Sequence, residues 1–154
     1  MQDAPHPGQG PEIWMINQYS ITPDLPGGTR HYDFGCELVK SGYRVRIFAS
    51  DVNLALRTHT KLRNGELWRE ENVNGVRFVW VRAAEYRINN WRRAWNMLSF
   101  AANVLRVGLR LSNCRPRTII GSSPHPFAAL GAWALAKLKR AHFVLELRDL
   151  WPQA

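Results

Sequence analysis

Four consecutive residues, Gly27, Gly28, Thr29 and Arg30, have types and spacing that suit phosphate binding, and they precede a stretch with helical periodicity. Paired glycines let an anion approach the backbone closely, and the N–H groups at a helix start favour a phosphate. Arg30 and the adjacent His31 could add positive charge. A tight turn that needs positive φ explains the same Gly-Gly pair, so the dipeptide alone leaves both interpretations open.

Hydroxyl and imidazole groups form a second candidate site. Ser122, Ser123 and His125 directly follow a short apolar run. A helix start whose first turn is fixed by the two neighbouring prolines explains these residues as well. No Gly-x-Ser-x-Gly pattern surrounds the serines, which argues against a hydrolase nucleophile.

Opposite charges follow the last apolar run, where Arg148 and Asp149 stand two residues before Trp151 and close to the end of the sequence. Their position after a predicted strand favours a role at a binding site. A local ion pair followed by a chain turn remains the alternative.

Predicted strands and helices alternate along the chain, and these elements must position the candidate groups. Such alternation predicts an α/β fold: a Rossmann-like, mostly parallel sheet with helices on both faces. Ligands in these folds gather where strands end, here in loops 19–28, 121–126 and 148–152. Each of the three candidate groups lies in one of these loops or, for Thr29, Arg30 and His31, directly after it. Strands are predicted at 13–18, 43–50, 118–121 and 142–147, and the Asn-Gly pair at 74–75 predicts a hairpin of 67–71 and 76–81. Helices are predicted at 29–41, with Thr29 as the cap, and at 91–111 and 127–138.

The helix predicted at residues 91–111 is apolar over most of its circumference. This width predicts that the helix is buried against the sheet and a partner domain, and contact with a membrane surface is the alternative. One apolar face comprises Trp91, Trp95, Leu98, Ala102, Leu105 and Leu109, and a second patch comprises Phe100, Val104, Val107 and Leu111.

Charge is the unusual feature of the composition. The formal net charge is +9, from 21 Lys and Arg against 12 Asp and Glu. This balance favours polyanionic partners, namely nucleic acid, an anionic membrane or phosphorylated substrates. The Pro, Gly and Gln content of residues 1–11 predicts a disordered lead-in. Neither cysteine has metal-like or redox-like spacing, which is typical of a cytoplasmic protein with free thiols.

Five motifs, in this order, resemble the N-terminal domain of GT-B glycosyltransferases of family 4. The resemblance extends from about residue 13 to residue 152 and is strongest to bacterial enzymes that build surface polysaccharides, such as the fucosamine transferase group. The motifs are Ile-Asn-Gln-Tyr, Pro-x-x-Pro-Gly-Gly-Thr-Arg-His-Tyr, Glu-Leu-Val-Lys-x-Gly-Tyr-x-Val, Gly-Ser-Ser-Pro and Leu-Arg-Asp-Leu-Trp-Pro.

The resemblance implies a retaining transfer of a sugar from a nucleotide diphosphate to an acceptor hydroxyl, with no metal and no cofactor, since the nucleotide sugar is a substrate. Residues 12–154 would form the acceptor-side half of a GT-B fold. The C-terminal, donor-binding domain would then be absent from this sequence. We therefore expect the chain alone to bind no nucleotide sugar tightly and to be inactive.

Site residues follow from the same resemblance. Gly27 and Gly28 match a glycine loop that lies near the donor diphosphate, with Thr29 and Arg30 beside it. Arg148 falls where many relatives carry a histidine beside the reacting sugar, and Asp149 could orient the acceptor hydroxyl or balance developing positive charge. The remaining candidates for the acceptor side are His31, Ser122, Ser123, His125 and Trp151.

The expected partners are the missing C-terminal domain, a nucleotide-sugar donor and a lipid-linked acceptor at the inner membrane surface. The expected location is the cytoplasm, with peripheral contact between the chain and this membrane. A basic nucleic-acid- or anion-binding module is the alternative, although no zinc site, aromatic RNA-binding signature or clustered basic tract supports specific nucleic-acid binding. A nicotinamide-dependent oxidoreductase would need Gly-x-Gly-x-x-Gly after the first strand. That pattern is missing there, although Asp51 does follow the second strand.

Overall fold

A computed structural model describes residues 10–53, 55–56, 58–84, 91–123 and 126–148. The predicted sites His125, Asp149 and Trp151 and most of the predicted lead-in lie outside the described residues. The elements are β1 (Glu12–Ile16), α1 (Arg30–Lys40), β2 (Arg44–Ser50), β3 (Trp68–Val73), β4 (Val76–Val81), α2 (Trp91–Arg110), β5 (Pro116–Ser122), α3 (Pro126–Lys139) and β6 (His142–Glu146).

The six strands form one sheet in the order β3-β4-β2-β1-β5-β6. Every neighbouring pair is parallel except β3 and β4, which are antiparallel. Met15 in β1 is paired with Ile47 in β2 on one side and with Ile120 in β5 on the other, so β1 is an internal strand of the sheet. This arrangement confirms the predicted Rossmann-like, mostly parallel α/β fold.

A two-residue turn joins β3 to β4. Asn74 and Gly75 both have positive φ, of 51° and 87°. Asn and Gly tolerate this conformation, which matches the twist of a hairpin. The Gly75 N–H also donates to Oδ1 of Asn72 at 2.9 Å. The Asn-Gly signal therefore predicted the hairpin correctly.

Side-chain alternation along β1 divides the core into two layers. Trp14 and Ile16 point to the face covered by α2 and α3, where they pack with Phe48. Met15 points to the opposite face, where α1 covers a cluster that includes Phe78. Apolar burial on both faces is expected of a parallel sheet between helical layers.

Burial of α2 against the sheet is confirmed for one face only, whereas Trp91, Trp95 and Leu98, on the face with the larger side chains, are exposed in the described residues. Burial of that second face against a partner domain stays a prediction. The physical reason for the exposure is close helix packing, because Ala101 and Gly108 are small enough to let α3 approach. The helix instead buries Asn96, Phe100, Ala101, Val104, Val107 and Gly108. None of the three helices that the structure describes is both long and apolar enough to cross a membrane.

Candidate active site at the carboxyl edge of the sheet

The carboxyl ends of the parallel strands bring together residues that are distant in the sequence. Asn17 follows β1, Arg30 and His31 begin α1, Ser122 ends β5 and Glu146 ends β6. We refer to these five residues as the carboxyl-edge cluster. Its position agrees with the general rule that ligands of open α/β sheets bind where the strands end.

Glu146 contacts three other residues of the cluster. Its Oε2 lies 2.9 Å from Nε2 of His31 and also accepts a hydrogen bond from the Ser122 hydroxyl. Its Oε1 lies 2.9 Å from Nη2 of Arg30. Both carboxylate oxygens are therefore engaged, and together they hold the first two residues of α1 against the end of β6.

Asn17 and Glu146 together indicate the tautomer of His31. The backbone N–H of Tyr19 donates to Oδ1 of Asn17 at 3.0 Å, so the amide nitrogen faces the ring, 3.0 Å from Nδ1 and 3.3 Å from Nε2. Because Nε2 also lies 2.9 Å from the Glu146 carboxylate, which only accepts, the ring proton is assigned to Nε2, and Nδ1 accepts from Asn17. The imidazole is therefore neutral and donates from Nε2 toward Glu146.

The electrostatics of the cluster agree with this assignment. Burial lowers the pKa of His31, and this effect and the nearby Arg148 and Arg30 outweigh the opposing influence of Glu146. For Glu146, burial raises the pKa, but hydrogen bonds from Ser122 and His31 and the charge of Arg30 bring it below the usual range. A neutral imidazole, a carboxylate and a guanidinium thus lie side by side at neutral pH, and His31 adds no positive charge.

This geometry does not make Ser122 a nucleophile. In a catalytic triad the acid binds one ring nitrogen of the histidine and the serine binds the other. Here the Ser122 hydroxyl lies 2.9 Å from Nε2 of His31, the same nitrogen that faces Glu146. The hydroxyl also donates to that carboxylate, so its proton is not directed to a base at the opposite nitrogen. The cluster can orient a ligand-binding group, and it lacks the arrangement that activates a hydroxyl.

The two glycines of the glycine loop (residues 27–30) differ in backbone conformation and in the space around them. Gly27 has φ of 141°, and a Cβ there would lie 2.8 Å from Cδ1 of Ile21. Gly28 is exposed, and a Cβ there would meet nothing within 4 Å among the described residues. Packing and backbone conformation explain Gly27, whereas Gly28 leaves the backbone open to an approaching ligand.

Thr29 precedes α1 as predicted, but its side chain does not cap the helix. Thr29 has φ of −89° and ψ of 6°, outside the extended conformation from which a cap residue reaches the first-turn N–H groups. Its hydroxyl donates instead to Oδ2 of Asp33 at 2.8 Å. The first N–H groups of α1 therefore do not donate to the Thr29 side chain. An anion site at a helix start requires such uncapped N–H groups.

Arg30 extends the glycine loop, and its side chain, which carries the guanidinium, is 64% exposed. A guanidinium has five N–H donors, and the contact with Glu146 occupies only one nitrogen of the group. The remaining donors are not engaged by Glu146. Glu146 therefore acts as a positioning residue for Arg30.

Ser123 and Arg148 meet beside the cluster. The Ser123 N–H donates to the Glu146 carbonyl at 2.9 Å, and the Ser123 hydroxyl accepts from the Arg148 N–H at 2.8 Å. Ser123 thereby ties the end of β5 to the chain that leaves β6. The Arg148 side chain is exposed at the same edge.

Sequence reasoning missed Asn17 and Glu146. The available signal was position, because each follows or ends an apolar run whose carboxyl end reaches this edge. The structure brings them together with Arg30, His31 and Ser122, which were predicted. It does not place His125, Asp149 or Trp151, which lie outside the described residues.

Asp51 is not available for a nicotinamide cofactor. The side chain is fully buried, with Oδ2 2.5 Å from Nδ1 of His59 and Oδ1 accepting from the Ala83 N–H at 3.4 Å. Burial raises the pKa of Asp51, although His59 opposes this shift. A ribose-binding acid must be exposed at the strand end, so the geometry argues against the oxidoreductase alternative.

Many of the basic residues lie at the opposite edge of the sheet. A cavity of about 400 Å³ there is lined by Arg44, Arg46, Arg77 and Arg115. Arg46 is buried and pairs with Glu12 at 3.0 Å. The charge of +9 is thus distributed over the molecule and does not by itself identify the ligand site. Within the described residues, no group of His, Cys, Asp and Glu could hold a metal ion.

Two comparisons with known proteins bear on the family of this chain. No curated protein matches this sequence. The model of the glycosyl transferase 4-like domain matches residues 27–154, from the glycine loop through β6 to the last residue. This segment is most of the chain and contains every residue of the carboxyl-edge cluster except Asn17. The chain therefore belongs to the family of glycosyl transferase 4-like domains.

Proposed function

We propose that this chain is the acceptor-side domain of a retaining glycosyltransferase whose donor is a nucleotide-diphosphate sugar. The observation that supports this most strongly is the coincidence of three features at one edge of the sheet. They are the open backbone at Gly28, the uncapped start of α1, and an exposed Arg30 guanidinium that Glu146 holds in place. Each suits a diphosphate, and together they define one site.

The glycine loop acts on the leaving group. As the bond between sugar and diphosphate breaks, negative charge grows on the phosphate oxygens. Fixed N–H dipoles and a cation stabilise that charge more than they stabilise the ground state, which lowers the barrier. Gly28 supplies backbone and Arg30 supplies charge, while the nucleotide and the sugar are held by a second Rossmann-like domain outside these residues.

His31 and Ser122 support the site without touching the acceptor. Both side chains are buried, and their polar atoms are directed to Glu146. We assign them as positioning residues that fix Glu146 and through it Arg30. The acceptor hydroxyl, on a lipid-linked or polysaccharide substrate, then meets Arg148 and Asp149, with Asp149 orienting it.

Pyrophosphate and uridine diphosphate are suitable probes, because they carry the leaving group without needing the sugar. In an amide NMR titration of the chain, we expect both to shift the resonances of Gly28 and Arg30 with millimolar affinity. Arg30→Ala should weaken binding by about tenfold, as expected for the loss of a hydrogen bond to a charged group. Lys40→Ala, at the other end of α1, is the matched control and should leave binding unchanged.

The titration also has an outcome that contradicts the proposal. If the diphosphates shift only amides near Arg44, Arg77 and Arg115, at the opposite edge, the glycine loop is not the phosphate site. The same conclusion follows if Arg30→Ala and the parent chain bind with equal affinity.

A further inference from the structure

The amino edge of the sheet holds a cavity whose basic residues the proposed function does not use. The cavity has a volume of about 400 Å³ and lies where the parallel strands begin, lined by Arg44, Arg46, Arg77 and Arg115. We call it the amino-edge cavity. β2 is seven residues long, which separates the two edges of the sheet by about 20 Å. A small ligand in this cavity therefore does not touch the glycine loop.

Strand pairing places three of these arginines on one face of the sheet. Arg46 in β2 is paired with Arg77 in β4, and Arg44 lies two residues before Arg46. Because side chains alternate along a strand, all three point to the same face as Phe48 and Val79. That face is the one covered by α2 and α3. The three guanidinium groups thus converge beside the helices, at the start of the strands.

Arg115 extends the cavity across the sheet. It directly precedes β5, which lies three strands away from β4 in the order β4-β2-β1-β5. Neighbouring strands are about 4.8 Å apart, so the backbones of Arg77 and Arg115 are separated by about 14 Å. Guanidinium groups that approach one cavity from this separation favour a ligand with two oxyanion groups over a single phosphate.

The surroundings of Arg77 do not explain its charge. Its neighbours on the adjacent strands are Asn72 in β3 and Arg46 in β2. Like charges on neighbouring strands destabilise a sheet, so Arg77 is not placed there for the stability of the fold. Among the described residues, no acid forms an ion pair with Arg77 or Arg115, and both side chains are exposed. Their charges are available to a ligand.

Arg46 contributes buried donors to the same cavity. The Arg46 side chain is only 3% exposed, with Nη1 3.0 Å from Oε1 of Glu12 and Nε 3.2 Å from Oε1 of Glu70. Neither contact has the angles of a hydrogen bond, so both nitrogens lack an acceptor within the described part of the chain. A buried donor without an acceptor costs stability, and an anion in the cavity would supply one. The Glu12 carboxylate also accepts from the Trp14 indole at 2.9 Å.

We propose that the amino-edge cavity binds a small organic polyanion that carries at least two phosphate or carboxylate groups. Its volume lies within the range of roughly 300–1,000 Å³ that is typical of small-molecule sites. Guanidinium groups bind either oxyanion through paired hydrogen bonds. The four arginines outnumber the acids Glu12 and Glu70 by two, which suits a ligand of this charge. A nucleic acid would instead need a basic groove that follows its backbone beyond the cavity.

Amide NMR titrations of the chain with citrate and with fructose 1,6-bisphosphate test the proposal and distinguish the two oxyanions. We expect at least one of these probes to shift the resonances of Arg44, Arg77 and Arg115 with an affinity at least tenfold higher than that of inorganic phosphate. The double variant Arg77→Gln/Arg115→Gln should weaken this binding at least tenfold, as the loss of hydrogen bonds between charged groups predicts. Arg106→Gln, which removes an exposed arginine of α2, is the matched control and should bind normally.

A stability measurement separates a binding role of Arg77 from a structural one. Arg77→Gln removes a like-charged neighbour of Arg46, so its midpoint in urea unfolding should equal or exceed that of the parent chain. A lower midpoint would show that Arg77 stabilises the fold, and it would overturn the assignment of this charge to a ligand.

Three binding results would also overturn the proposal. One is equal affinity for inorganic phosphate and for both polyanions. Another is equal polyanion affinity of the parent chain and the double variant. The third is tighter binding of an oligothymidylate at the same amides, which would assign the cavity to nucleic acid. The shifts of Gly28 and Arg30 with pyrophosphate should be the same in the double variant and the parent, so this proposal and the proposed function can fail separately.

Discussion

His31 and Glu146 are 115 positions apart in the sequence, yet Nε2 of the histidine lies 2.9 Å from Oε2 of the glutamate. The contact joins the start of α1 to the end of β6. Because Arg30 binds the other oxygen of the same carboxylate, one acid holds two consecutive helix residues. A guanidinium at the glycine loop is thereby fixed before any ligand arrives.

Removing the charge of Glu146 should alter His31 in a defined direction. Glu146 is the group that raises the pKa of His31 against the effect of burial. In Glu146→Gln the pKa of His31 should therefore fall further below its ordinary value, as measured by NMR titration of the imidazole. Pyrophosphate affinity should drop several-fold because Arg30 loses its partner. Glu37→Gln, an exposed change on α1, is the control, and an unchanged His31 pKa in Glu146→Gln would contradict the assignment.

Acidification should destabilise the fold through His31. Its pKa is lowered in the folded state, so the unfolded chain binds the proton first and stability falls as the pH drops below about 6.5. Glu146, whose folded pKa is also lowered, loses its contribution only at more acidic pH. Urea unfolding of His31→Gln should show a smaller loss between pH 7.5 and 5.5, by up to about 1.4 kcal/mol per pH unit. Parallel pH profiles for the two proteins would refute the neutral buried imidazole.

The two loop glycines should respond differently to alanine. Gly27→Ala forces a side chain into positive φ and against Ile21, so it should destabilise the chain by about 1–3 kcal/mol in urea unfolding. Gly28→Ala meets open space and should change stability little. It should nevertheless weaken pyrophosphate binding, because a Cβ obstructs approach to the backbone. Normal pyrophosphate affinity in Gly28→Ala would mean that the ligand does not contact this backbone.

A second glycine pair tests the packing of α3. In Gly121→Ala the new Cβ would lie 2.8 Å from the Ala132 Cβ and 3.2 Å from the Ala129 Cα, so β5 and α3 must separate. We expect a loss of about 1–3 kcal/mol in the free energy of unfolding. In Gly131→Ala the Cβ lies 3.5 Å from Ala101, an ordinary contact, and higher helix propensity should stabilise by about 0.5–1 kcal/mol. Equal effects of the two changes would contradict the observed spacing.

Local patterns in the sequence predicted most of the fold. Apolar periodicity and turn residues such as Asn74 and Gly75 depend on short-range geometry, and the strand-end rule directed attention to the loop at Gly27. What could not be predicted depends on which distant surfaces meet. Nothing near His31 in the sequence indicates that Glu146 will bind it.

Helix α2 shows the same limit. Periodicity identified two apolar faces of α2 but could not show which of them is buried, because burial depends on how closely α3 can approach. Small residues such as Gly108 decided that the smaller face is buried and that Trp95 is exposed. Thr29 was placed correctly, but its hydrogen bond depends on backbone angles that the sequence does not specify.

The most direct test of the account is a crystal structure of the chain grown with pyrophosphate. We predict diphosphate oxygens within hydrogen-bonding distance of the Gly28 N–H and the Arg30 guanidinium, with Arg30 still paired to Glu146. A diphosphate bound only in the arginine-lined cavity at the opposite edge, with the glycine loop empty, would contradict the central claim.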